Sequence, residues 1–249
     1  VCSSDLKINE MKCLNCNNSA EENFCKFCGQ KTSIHRFSLK HIFDNGILNG
    51  ALMINKRFFF SLKELMTRPG HSIRDFLEGK RINHYNAFGL LLLLIAASYF
   101  IGEYSPLKLT DIMDENSQEF AAGMDQFTGE NPRLFFMLNL LIMAITSFVL
   151  FKKSKINFAE NIILNTYNLA GQTLLTMPFL VLNIFYRNKF VLLLNITVSP
   201  FITIGYCFWF YHQFFSEYGY KKRSLIFRSI SSIIISTMLT GIVLSSILA

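Results

Sequence analysis

Five apolar runs, at about residues 87–102, 134–151, 161–185, 190–214 and 225–248, constrain this chain more than any other feature. An α-helix rises about 1.5 Å per residue, so about 20 apolar residues match a hydrocarbon core of about 30 Å. Within such a core every backbone N–H and C=O must be bonded inside the chain, which selects helices for runs of this length. The expected fold class is an all-α integral membrane protein, with residues 86–249 as a five-helix transmembrane bundle. Composition agrees with this. Charged residues make up 16% of the chain, against roughly 25% in soluble globular proteins.

Loop charges set the expected direction. Residues 1–85 carry 13 of the 24 Lys and Arg. The loop 103–133 has only Lys108 and Arg133 among many acids, including Glu103, Asp111, Asp114 and Glu115. Lys152, Lys153 and Lys155 follow the second run, and Lys221, Lys222, Arg223 and Arg228 precede or open the fifth. Alternate sides thus hold 20 and 4 cations, and the richer side stays in the cytoplasm. The expectation is a bacterial cytoplasmic-membrane protein, multi-pass, with its N-terminus inside and its C-terminus outside. The short turn at 186–189 is basic although it falls on the outer side, which leaves a re-entrant third and fourth run as the alternative. No cleavable signal peptide is visible before the first run. Residues 1–6, VCSSDL, read as a translated sequencing adapter, so 1–10 are expected to be an artefact and disordered start with Met11 the native first residue.

Residues 11–33 contain CLNCNNSAEENFCKFCG. Cys13 and Cys16 are spaced C-x2-C, as are Cys25 and Cys28, and Gly29 allows the tight turn after the second pair. Four thiolates close a tetrahedral Zn²⁺ shell and leave no position for a substrate water, so a structural zinc ribbon is expected. Iron or an iron–sulfur cluster is the alternative ion. A reducing cytosol disfavours disulfides here. Lys12, Lys26 and Lys31 are too few to suggest nucleic acid, and Phe24 and Phe27 are expected to form the ribbon's own small core. Cys207, alone in an apolar run, reads as a packing residue.

Between ribbon and bundle, residues 34–85 read as amphipathic basic helices lying at the membrane surface. One apolar stripe is Leu39, Ile42, Phe43, Ile47 and Leu48; another is Ile73, Phe76 and Leu77, with Pro69 opening its helix and Gly79 closing it. Arg68, Arg74, Lys80 and Arg81 are the candidate contacts to anionic lipid headgroups or to a partner.

The stretch TRPGHSIRDFLEGKRINHYNAFGLLLLL, after CLNC and CKFCGQK, resembles a bacterial multi-pass membrane family with an N-terminal zinc ribbon, catalogued as domain of unknown function 3667. Thr67, Arg68, Pro69, Gly70, Gly79, Lys80, Arg81, Asn86 and Phe88 carry the resemblance, which spans roughly residues 13–100. Ala87 stands where the family usually has proline, so a less sharp helix start is expected there. The resemblance implies the architecture and assigns no reaction.

Asn161, Asn165, Asn168 and Gln172 recur at steps of four, three and four, which puts four amides on one face of the third run. Lipid does not tolerate such a face, so it packs on other helices or lines a polar path with Glu160 at its mouth. In the fifth run, Ser232, Ser236 and Thr240, and also Thr237, Gly241 and Ser245, give small-residue stripes for helix packing within the monomer or in a homo-oligomer. Pro200 and Gly205 are expected to kink the fourth run, and His212 to sit at its cytoplasmic end. No hydrolase, phosphate-loop or metalloprotease motif is present. The expected function is a non-enzymatic, membrane-anchored interaction or scaffolding protein whose ribbon and basic helices recruit a cytoplasmic protein or lipid. A small transporter or channel using the amide face, and a lipid-handling enzyme, are the alternatives.

Overall fold

The computed structural model describes residues 11–20, 23–40, 54–104, 122–123, 126–127, 129–186 and 188–248. The expected artefact at 1–10, most of the stripe beginning at Leu39, most of the acidic loop and Arg187 lie outside the described residues. Among the described residues, seven α-helices follow a two-stranded hairpin, β1 (Met11–Lys12) and β2 (Ser19–Ala20). They are α1 (Lys56–Thr67), α2 (Pro69–Leu77), α3 (Ala87–Glu103), α4 (Pro132–Leu150), α5 (Phe158–Phe185), α6 (Lys189–Phe215) and α7 (Lys222–Leu248).

Each start has a local cause. Asn55, Asn86 and Asn188 turn their side-chain oxygens onto the first free N–H groups of α1, α3 and α6. Asn86 thereby gives α3 a definite start at Ala87 without a proline. Asn157 and Glu160 form a reciprocal capping box at the head of α5, and Pro69 and Pro132 open α2 and α4. Pro178 and Pro200 sit inside continuous helices, so α5 and α6 are each long enough to cross in full.

Among the described residues, four helices are long and apolar enough to cross a membrane: Arg133–Leu150, Phe158–Phe185, Lys189–Phe215 and Lys222–Ile247. The expected first span is shorter, a 17-residue helix, about 25 Å long. Its length follows from where it begins. The Tyr167 hydroxyl donates to the carbonyl of Tyr85, so α3 starts level with the tenth residue of α5. Residues 56–77 occupy the flank above it.

The helix α5 is the axis of the molecule. It packs on α3, α4 and α6, while α7 closes against α4 and α6. One end of the bundle gathers the C-termini of α4 and α6 and the N-termini of α5 and α7. There Phe151 stacks on Phe215 at 3.8 Å, Lys153 donates to the Gly219 carbonyl and Arg228 to that of Leu150. The ribbon side meets this same end through Arg36, whose guanidinium reaches Glu160 at 2.5 and 2.8 Å and the Lys155 carbonyl at 3.2 Å.

The polarity of the bundle is that of a protein in oil. Leu134, Met137, Leu141, Ile145 and Val149 form an exposed apolar stripe down α4, and Phe227, Ile230, Ile234, Met238 and Ile242 do so on α7. Polar Ser147, Asn161, Asn165, Thr166 and Asn168 are fully enclosed. Water would drive the reverse distribution.

Candidate metal centre and its socket

The two C-x2-C turns are near copies of one another. The Asn17 N–H bonds to the Cys13 carbonyl and the Cys13 N–H to that of Asn18; Gly29 and Cys25 repeat this with Cys25 and Gln30. Asn17 and Gly29 take the left-handed conformation, with φ of 59° and 73°, which Asn and Gly adopt at least cost. The result is a four-sulfur cluster with all ligand atoms within 4.8 Å of one another. Cys13 and Cys28 sulfurs are 3.6 Å apart, and Cys16 and Cys25 sulfurs 3.5 Å. These residues can hold a metal ion, and an all-thiolate tetrahedral set fits Zn²⁺. A backbone N–H from Cys28 lowers the Cys25 thiol to about 7. Desolvation pushes Cys28 up to about 11.

Sequence reasoning assigned Phe24 and Phe27 to the ribbon's interior. They are instead 59% and 71% exposed. The interior is Cys13, Ala20 and Cys25. At this size the ligands themselves are the core, and no volume remains for a phenyl ring.

Gln30 makes the main polar tie between the ribbon and the rest of the described residues. Gln30 is buried, its Nε2 donates to the Gly79 carbonyl at 2.9 Å, and its Oε1 accepts from the N–H groups of Arg81 and Ile82 at 2.9 and 3.1 Å. Leu14 of the first turn lies against Gly79, whose φ is +118° and where a β-carbon would come within 2.7 Å of it. The Gly-Lys-Arg loop is therefore a socket for the metal site. The Thr-Arg-Pro-Gly turn is the counterpart on the bundle side. Gly70 meets the α6 backbone at Phe210 and Phe214, and a β-carbon there would overlap both and lie 2.6 Å from that of Gln213. The Gly70 N–H donates to Gln213 Oε1 at 3.1 Å.

The four singled-out cations all have partners within the chain. Arg68 pairs with Glu64 at 2.6 Å and with Asp75 at 3.4 Å; Lys80 pairs with Asp75 at 2.8 Å. Arg74 donates to the Gln213 and Phe214 carbonyls, both at 3.1 Å, closing the C-terminus of α6. Arg81 lies 3.8 Å from the centre of the Phe37 ring and donates to the Phe76 and His35 carbonyls. The stripe of Ile73 and Phe76 belongs to the main core; only α1 keeps an exposed apolar pair, Phe59 and Met66, with Lys63 between them.

The amide face is hydrogen-bonded in two groups, and Asn161 Nδ2 is buried without a partner. Asn165 Nδ2 donates to Ser147 Oγ at 2.9 Å and Asn161 Oδ1 at 2.7 Å, while its Oδ1 accepts from the Tyr211 hydroxyl at 2.6 Å. Asn168 donates to the Cys207 sulfur at 3.3 Å, and Gln172 donates to Asn168 at 3.2 Å. Glu160 is tied to Arg36 and Asn157. In α7, Ser229, Ser232 and Ser236 are buried, whereas Thr237, Gly241 and Ser245 are exposed. His212 sits in the last turn of α6. Among the described residues, Ser72 Oγ meets His84 Nε2 at 2.9 Å, and both residues are buried.

The socket and the crossing turn lie in the part of the chain that has a family match. Residues 55–99 match the model of the family described as Protein of unknown function (DUF3667). That stretch is α1, α2, the socket loop and most of α3, the same region on which the sequence resemblance rests; the cysteines lie outside it. No curated protein and no solved structure matches the chain. Gln30, Arg36, Ser147 and Gln213 went unassigned in the sequence. The only available cue was Gln30's place directly after the second knuckle glycine.

Proposed function

We propose that this protein is a membrane-anchored interaction module of the bacterial cytoplasmic membrane, whose zinc-bound head recruits a cytoplasmic protein. The observation that carries the reading is the head itself. A four-cysteine clip, clamped by Gln30 to the loop that leads into α3, points Phe24 and Phe27 outward. Exposed aromatics on a rigid support are common anchors of protein interfaces. The closed sulfur set supplies fold and no open coordination position.

The topology proposed with it has five crossings, head inside and C-terminus outside. The basic loops around Lys153 and Lys221 fall at the end of the bundle that also holds Arg36, so the cations gather on one side as the positive-inside rule requires. With its start level with Tyr167, α3 has only the remaining length of α5 to match. Phe59 and Met66, with Lys63, suit contact with an anionic leaflet. The amide network serves as interhelical glue in this reading.

Partner capture from detergent-solubilised membranes tests the recruitment. The intact protein, a variant with Cys13, Cys16, Cys25 and Cys28 all changed to Ser, and a Phe24→Ser/Phe27→Ser variant are compared. The expected outcome is a partner lost from both variants, the second retaining its metal. Identical partner lists in all three would sink the proposal.

A further inference from the structure

A cleft of about 500 Å³ lies where the ribbon meets the basic segment. Lys31, Ser33, His35, Arg36, Arg57 and Arg81 line it. Among the described residues no carboxylate does so. Glu160 balances Arg36, which leaves Lys31 and Arg57 without an ion pair among the described residues and Arg81 with only the longer-range field of Glu160. Arg57 stands in the first turn of α1, beside Lys56, and that turn contains no acid. Cations at the positive end of a helix dipole oppose it. An arrangement that concentrates like charge in a concavity, on top of that dipole, is disfavoured unless an anion joins it.

We infer that this cleft binds a phosphate group, borne by a lipid headgroup or by a small phosphate ester. A tetrahedral oxyanion accepts from several donors converging from different directions. Here these are the Lys31 ammonium from the ribbon, the Arg57 guanidinium from α1, the Arg81 guanidinium from the socket loop and the Ser33 hydroxyl. Arg81 is already held by Phe37 and two carbonyls, so its orientation is fixed before an anion arrives. The site differs from the cation set that the sequence suggested. Arg68, Arg74 and Lys80 are spent on Glu64, Asp75 and the end of α6, and only Arg81 belongs to both. The inference rests on the reading of the head as a docking module and names a ligand class for it. A phosphate here touches ribbon, α1 and socket at once, so it would tighten the head in its seat.

The test uses full-length protein in nanodiscs of phosphatidylcholine, with and without phosphatidylglycerol, and native mass spectrometry to count retained lipid. In parallel, sn-glycerol 3-phosphate is titrated calorimetrically into the phosphatidylcholine sample. A Lys31→Ser/Arg57→Ser variant removes two cleft cations; Lys152→Ser/Lys222→Ser removes two cations elsewhere at the same end. Retention of phosphatidylglycerol, reduced at least ten-fold in the cleft variant and unchanged in the control variant, supports a lipid source. Saturable glycerol 3-phosphate binding with the same variant pattern supports a soluble source. Absence of both, or equal losses in the two variants, overturns the inference. Loss of the recruited protein partner is a separate readout: the cleft can fail while recruitment stands, and recruitment can fail while the anion still binds.

Discussion

His84 shows how a buried side chain can tie the stability of the helical body to pH. Its Nε2 meets Ser72, its Nδ1 is buried without a partner, and burial holds its pKa below the ordinary histidine value. His71 is also lowered, first by burial and then by the Arg74 guanidinium, which lies 2.6 Å from its Nδ1. Both rings are neutral in the fold. Below about pH 6.5 an opened chain takes up protons that the folded one refuses, so folding free energy is constant above that pH and declines beneath it. Thermal unfolding in detergent at pH 7.5 and 5.0 should show the decline, and His71→Gln/His84→Gln should flatten it. A parent profile that is already flat would refute the assignment. At this scale the sequence is uneven in what it reveals. The cysteines announce themselves by spacing, because two knuckles must present thiolates to one point. Arg36 with Glu160, and Gly70 with Gln213, are 124 and 143 residues apart, and pairings so distant leave no periodic trace.

Among the elements, the crossing of α2 over α6 depends on Gly70. Any β-carbon there meets main-chain atoms of Phe210 and Phe214 that belong to a helix and cannot swing aside. Gly70→Ala should therefore destabilise the protein by about 1–3 kcal/mol, the usual cost of overpacking, and lower its unfolding temperature. The equivalent change at Gly102, which has open space around it, should be tolerated. An unaltered melting point in Gly70→Ala would show that the two helices do not meet closely. Helix periodicity revealed that α2 has an apolar face but not what that face touches. Ile73 and Phe76 were legible as a stripe, and lipid was the natural guess for a basic amphipathic segment. The structure spends that stripe on Tyr85, Tyr167 and the α5–α6 surface. The bounds of the five long apolar helices, by contrast, were legible to within a few residues, because each apolar run is continuous and ends at polar residues.

On the scale of the molecule there are two cores of unequal kind. One is the large aromatic interior between α2, α3, α5 and α6; the other is the sulfur cluster of the ribbon. They share no side chains and are joined through Gln30, Leu14 and Arg36. Stripping the metal with a strong chelator should therefore unfold the ribbon alone, since metal binding supplies its folding free energy of about 10–16 kcal/mol. Limited proteolysis should then cut within residues 11–40 while the fragment beyond α2 stays intact. Simultaneous collapse of the helical body would mean that the two cores are not separable. The enclosed amide cluster of the bundle was readable from its spacing. The socket was not, because a side chain that grips only main-chain atoms imposes no pattern on the residues it grips.

That last property has a consequence of its own. Gln30 bonds one carbonyl and two amides of the 79–82 loop and reads none of its side chains. Apart from Gly79, the spelling of that loop is free as far as the joint is concerned, but its length is not. One residue inserted or deleted between Gly79 and Ile82 would carry the two amides out of register with the carbonyl. Related chains should therefore keep the metre of this hinge, whatever separate contacts fix Lys80 and Arg81.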